Sequence, residues 1–108
     1  MQFDELIEKT RKVVNGFDSK FTKQDRLIDL MEEVGELAQA TLIVDGKKHT
    51  NDPNKQKTVE DVADALCDVM CNLVLLADDY NVDLPREYSD MLDRLNKRIE
   101  GGEFVKNE

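Results

Sequence analysis

Two pairs of carboxylates recur at a spacing of three residues, Glu33 with Glu36 and Asp61 with Asp64. On a helix that spacing puts both members of a pair on one face, about a turn apart. Asp29 falls on the same line as Glu33 and Glu36, with Glu32 one step aside, and Asp68 extends the line of Asp61 and Asp64. If the two segments are helices joined as an antiparallel hairpin, Glu33 and Glu36 come opposite Asp61 and Asp64. Four carboxylates drawn together repel one another unless a cation lies between them. Hard oxygen donors of this kind suit Mg²⁺, with Mn²⁺ as the alternative, and Mg²⁺ commonly shares its shell with a substrate phosphate. A di-iron carboxylate bundle would need Glu-x-x-His pairs. The single histidine, His49, lies in a polar stretch, so that chemistry is set aside.

Asp68 and Asn72 sharpen the argument. They are four residues apart in a stretch, Ala65 to Ala77, that is otherwise apolar nearly all round. No lysine or arginine occurs between Lys57 and Arg86. A carboxylate embedded there needs a partner or a metal, because an unpaired buried charge costs several kcal/mol, roughly. Taken on the second helix alone, the acids also fit a solvated face opposite a core stripe, and that alternative stays open.

The elements that must carry these groups read as helices. Phe3, Leu6, Ile7, Val13 and Val14 mark a first helix from Phe3 to Val14, ended by Asn15-Gly16. Thr22 caps a second, Lys23 to Val44, with Leu27, Leu30, Met31, Val34, Leu37, Ala38, Thr41 and Leu42 as its apolar stripe. Residues 47–57 form a polar loop. Thr58 caps a third helix running to Tyr80, with Asp61 in the capping position. Pro85 opens a fourth, ending at Gly101-Gly102. The expected fold is all-α, a four-helix bundle-like subunit forming one domain over residues 1–108. The third helix has apolar residues on more than one side, so a single subunit leaves it underburied. That predicts a homodimer or a homotetramer.

Composition narrows the partners. The 108 residues carry 24 acids against 15 bases, a formal net charge of -9. Such a balance argues against nucleic acid or an anionic membrane as the main partner. The longest apolar stretch, Val69 to Ala77, is interrupted by Asn72 and is too short to span a bilayer. Cys67 and Cys71 read as two free thiols on a buried helix in a reducing compartment, and nothing near Met1 looks like a signal peptide, so a cytoplasmic location is expected.

The segments Met-Glu-Glu-Val-Gly-Glu-Leu-Ala (Met31 to Ala38) and Glu-Asp-Val-Ala-Asp-Ala-Leu-Cys-Asp-Val (Glu60 to Val69) together resemble the MazG-like nucleotide pyrophosphohydrolases. These belong to the all-α nucleoside triphosphate pyrophosphatase superfamily, with its dUTPase and dCTP pyrophosphatase branches. Glu32-Glu33-x-x-Glu36 fits the first half of the family pattern. Asp61-x-x-Asp64 fits the second, with Asp61 where the family normally has Glu. The resemblance implies hydrolysis of a nucleoside triphosphate to the monophosphate and pyrophosphate. It implies Mg²⁺ on Glu33, Glu36, Asp61 and Asp64, with Asp68 completing a metal shell or holding a water. Glu32 or Glu36 would orient the attacking water. Arg94, Asn96, Lys97 and Arg98 either are the implied phosphate-holding groups or form a cationic last turn that the helix dipole favours. Lys47, Lys48, Lys55 and Lys57 either close over the triphosphate or only solubilise the loop. Phe17 and Phe21 either stack on a base or pack the bundle, while Tyr80 and Tyr88 read as packing residues. The competing function is a non-catalytic helical module that binds a nucleotide or a protein.

Overall fold

In the computed structural model, residues 2–16 and 21–103 are described. The chain is an all-α, four-helix, bundle-like fold: α1 Phe3–Asn15, α2 Lys23–Val44, α3 Val59–Asp79 and α4 Leu84–Glu100, with a 3-10 turn at Pro53–Lys55. Among the described residues there is no strand. Phe17 lies outside them.

Local chemistry accounts for the ends. At the start of α2, the Asp25 N–H donates to Thr22 Oγ1 at 3.1 Å and the Thr22 N–H donates to an Asp25 carboxylate oxygen at 2.9 Å, a reciprocal box that satisfies two orphan donors. At α3, the Thr58 N–H and hydroxyl both donate to Asp61 Oδ2, at 2.7 and 3.1 Å. These bonds favour the ionised acid, so the Asp25 and Asp61 carboxyls both sit below the ordinary range. Asn81 adopts φ 55, the left-handed position that lets the Val82 N–H fold back to the Ala77 carbonyl at 2.9 Å and close α3. Asp83 caps α4, and Pro85 sits in its first turn where no N–H is needed.

The hairpin of α2 and α3 is the centre of the molecule, and α1 lies against α3. Small side chains at Ala40 and Ala65 are buried, together with Ile7, Val74 and Asn72. Ionic ties fasten the far end of the hairpin. Arg11 on α1 grips Asp78 with two bonds of 2.8 Å, and Arg26 Nε on α2 lies 2.7 Å from Asp79 Oδ2 in an ion pair whose angles fall outside those of a hydrogen bond. Lys23 Nζ stands 4.6 Å over the Tyr80 ring.

The apolar stripe expected to form the core is only partly covered. Leu30 and Leu37 are half-buried, but Leu27, Met31, Val34 and Leu42 are exposed, Met31 by 68%. On α3, Val59, Leu66, Met70 and Leu73 are exposed as well. Cys67 is also exposed, against the expectation of two buried thiols, while Cys71 is half-buried and burial pushes its thiol upward. The reason is the placement of α4. It is fixed to α1 by an edge-on contact of Phe3 with Tyr88, ring centroids 6.5 Å apart, and does not cover the hairpin. The radius of gyration is accordingly 17.6 Å, against about 13 Å for a compact chain of this length.

Candidate functional site

Glu33 is the residue around which the charges gather. It lies in the middle of α2 on the edge turned toward α3, half-buried, with Oε2 shielded from solvent and no hydrogen-bond donor to meet it. Burial raises its carboxyl above the ordinary range, and the negative charges of Glu36, Asp68 and Asp29 raise it further. Asp29, Glu33 and Asp68 share one hollow between the helices with Arg26, Cys71 and Asn72. The guanidinium there is already paired with Asp79, so it leaves the acids without a countercharge of their own.

A second hollow takes in the next acids of α2. It is lined by Glu32, Glu36 and Gln39 of α2 and by Lys57 from the end of the long loop. Lys48 Nζ reaches Gln39 Oε1 at 3.5 Å. Two of the loop lysines therefore stand near the carboxylates: Lys57 also presses on Asp61 with its positive charge. Sequence spacing could not show this, because the loop's path is set by tertiary packing.

The helix register decides which acids meet. Glu33 feels Glu36, Asp29 and Asp68. Asp61 is engaged with Thr58 at the first turn of α3, and Asp64 and Asp68, one turn apart, are both exposed, Asp68 against the expectation of an embedded carboxylate because no helix covers that side of α3. Among the described residues, no three His, Cys, Asp or Glu side chains are gathered closely enough to hold an ion. Glu33 and Glu36 come close enough for one carboxyl, when protonated, to bond to the other, while Asp68 and Asp29 act on Glu33 through charge.

The α4 candidates are not brought to this place within one chain. The Asn96 amide donates to Glu100 Oε1 at 3.2 Å, Arg98 grips Glu103 at 2.7 and 2.6 Å, and neither hollow is lined by them or by Lys97. Asp29, Arg26 and Gln39 are the groups that sequence reasoning did not place in the site. The recurrence of Asp29, Glu33 and Glu36 along one helical line was the signal for the first; nothing marked the other two. No helix among the described residues is long and apolar enough to cross a membrane. No family model matches the chain, and no curated protein matches it.

Proposed function

We propose that the chain is a Mg²⁺-dependent nucleoside triphosphate pyrophosphohydrolase of the MazG-like kind, acting as a homodimer or homotetramer in the reducing cytoplasm. The observation that carries this reading is the shielded, unpartnered Oε2 of Glu33 amid the charges of Glu36, Asp68 and Asp29. A shielded carboxylate oxygen with no donor, in the field of three further carboxylates, would suit a hard divalent cation once those side chains closed on it. Glu33, Glu36 and Asp68 would hold it, with Asp64 one turn away and Asp61 at the helix start. Bound there, the metal supplies neutralisation of the triphosphate oxygens and a lowered pKa for a coordinated water.

The chain's own groups do the rest. Glu32 and Glu36 line the same hollow, so either carboxylate can accept the proton of a water aimed at the α-phosphorus. That water's oxygen bonds to phosphorus, the bond to the bridging oxygen breaks, and pyrophosphate leaves. Lys57, on the wall of that hollow, offsets charge on the departing phosphates. Asn96, Lys97 and Arg98 are assigned to the phosphates only in an assembly that brings α4 across a neighbouring subunit.

The test is to incubate the protein and Mg²⁺ with a panel of canonical and modified triphosphates and to assay both products. Pyrophosphate and monophosphate in equal amounts from at least one member is the expected outcome, lost in Glu36→Gln and in Asp68→Asn. Release of orthophosphate, or of nothing from any member, overturns it. The second reading, a non-catalytic binding module, is favoured by two observations: Asp61 is occupied at the helix start, and no closed ligand set is formed among the described residues. It expects the same variants to leave ligand binding unchanged.

A further inference from the structure

We infer that the Arg26 guanidinium is a movable countercharge, exchanging between Asp79 and the carboxylates of Asp29 and Glu33, and that in the second position it blocks the acid hollow to a divalent cation. The exchange stands on the geometry around Arg26, while the blocking rests on the cation site proposed above.

Two Arg–Asp ties lie at the end of the hairpin, on adjacent aspartates, and they differ. Arg11 holds Asp78 through Nε and a terminal nitrogen, each at 2.8 Å, the two-bond fork in which an arginine and a carboxylate pair most strongly. Arg26 Nε comes as near to Asp79 Oδ2, at 2.7 Å, but the angles exclude a hydrogen bond. Both atoms are shielded from solvent, and neither has another hydrogen-bond partner. The two side chains are 20 and 21% exposed, so water does little to satisfy them. A shielded donor and a shielded acceptor left unsatisfied cost free energy, and charge alone holds this pair. The tie of Arg11 to Asp78 is fixed; the tie of Arg26 to Asp79 is loose.

Other acceptors stand near. Asp29 follows Arg26 by three residues and Glu33 follows Asp29 by four, one turn and two turns along the same side of α2. Arg26 lines the hollow that holds both acids, together with Asp68 of α3. Its charge is felt there, since it opposes the upward push of burial and of Asp68 on the Cys71 thiol. α3 itself carries no lysine or arginine. Arg26 Nε, Asp79 Oδ2 and Glu33 Oε2 are the shielded side-chain atoms without a hydrogen-bond partner among the described residues. One donor thus lies between two acceptors that each lack one, which gives the side chain two competing positions. A guanidinium turned toward Asp29 and Glu33 repels a divalent cation and takes up the oxygens that the cation needs.

The experiment is a double-mutant cycle on Arg26→Gln and Asp79→Asn, read as the Mg²⁺ concentration at half of the metal-induced melting shift. Asp79→Asn keeps the shape of the side chain and frees Arg26 to turn to the acids. It is expected to raise that concentration about tenfold, because a positive charge then competes at close range. In the Arg26→Gln background the same change is expected to move it by less than about twofold, because the Asp79 charge by itself is distant and screened. Asp79→Glu, which keeps the charge, is expected to behave as wild type. An Arg26 that only fastens the hairpin gives a different result, in which loss of the Asp79 charge weakens the cation equally in both backgrounds. Equal weakening, or no weakening in either background, overturns the proposal. A second measurement needs no metal. By NMR, the Arg26 Nε–H of Asp79→Asn is expected to show cross-peaks to the side-chain protons of Asp29 or Glu33, and their absence overturns the exchange. If Mg²⁺ shifts no melting temperature in the wild type, the cation site fails by itself, and the cross-peaks alone then decide whether Arg26 exchanges.

Discussion

Glu33 concentrates the tension in this molecule, since its carboxyl is held above the ordinary range by burial and by three like charges. A folded-state pKa raised above the unfolded value means that protonation favours the fold. The contribution is present at acid pH and is lost as pH rises through the raised pKa. Glu33→Gln is therefore expected to raise the melting temperature of the metal-free protein at neutral pH, by about 2–4 °C. The gain should shrink as pH falls into the carboxylate range, and a gain independent of pH would refute this account of the residue. The same variant should lose the melting shift that Mg²⁺ or Mn²⁺ gives the wild type. A parallel comparison separates two acids that the sequence places on one helical line. Asp68→Asn is expected to abolish that metal shift. Asp61→Asn is expected to lower stability and leave most of the shift in place, because its carboxylate serves Thr58. Titration of the melting shift against metal concentration for the two variants decides it. The acids on α2 and α3 were legible as a group from their spacing. Their pairing was not, because a small change in hairpin register moves the facing residue from Asp64 to Asp68.

At the scale of the elements, the helix ends depend on ionised acids. Asp25 and Asp61 have depressed pKa values from the bonds they accept at the N-termini of α2 and α3. Their contribution is present above the unfolded pKa and disappears as pH falls through the folded one. Thr22→Ala removes one half of the α2 box and is expected to cost about 1 kcal/mol, read from chemical denaturation. Much of that difference should vanish in acid, where Asp25 no longer accepts from the Thr22 N–H as an anion. All four helices and their stops were legible in this way. Thr22, Thr58, Pro85 and Asn15-Gly16 act on their immediate neighbours, and helix caps are local interactions. The long loop was legible only as polar. The placing of Lys57 beside Glu32 and Glu36 depends on how the hairpin closes.

For the whole molecule, the uncovered apolar faces are the dominant fact. Leu66, Met70 and Leu73 on α3 and Leu27, Met31 and Val34 on α2 are exposed on a hairpin that α4 does not cover. A second copy would cover them, and a stable interface needs about 800 Å² from each partner. Sedimentation should give a dimer or a tetramer for the wild type, and Leu66→Glu with Met70→Glu should yield a folded monomer. A wild-type monomer at micromolar concentration would overturn the proposed assembly. Amphipathic periodicity, caps and breakers act over a few residues, so the residue order alone specified an all-α chain, its helix limits and the two acidic lines. It also marked Asp68 and Asn72 as polar groups in an apolar run. Burial and the company a charge keeps are properties of packing between distant segments. Only the folded chain could therefore bring Asp68 within the electrostatic reach of Glu33, seat Asn72 in a hollow that Phe21 also lines, and turn α4 away from the hairpin.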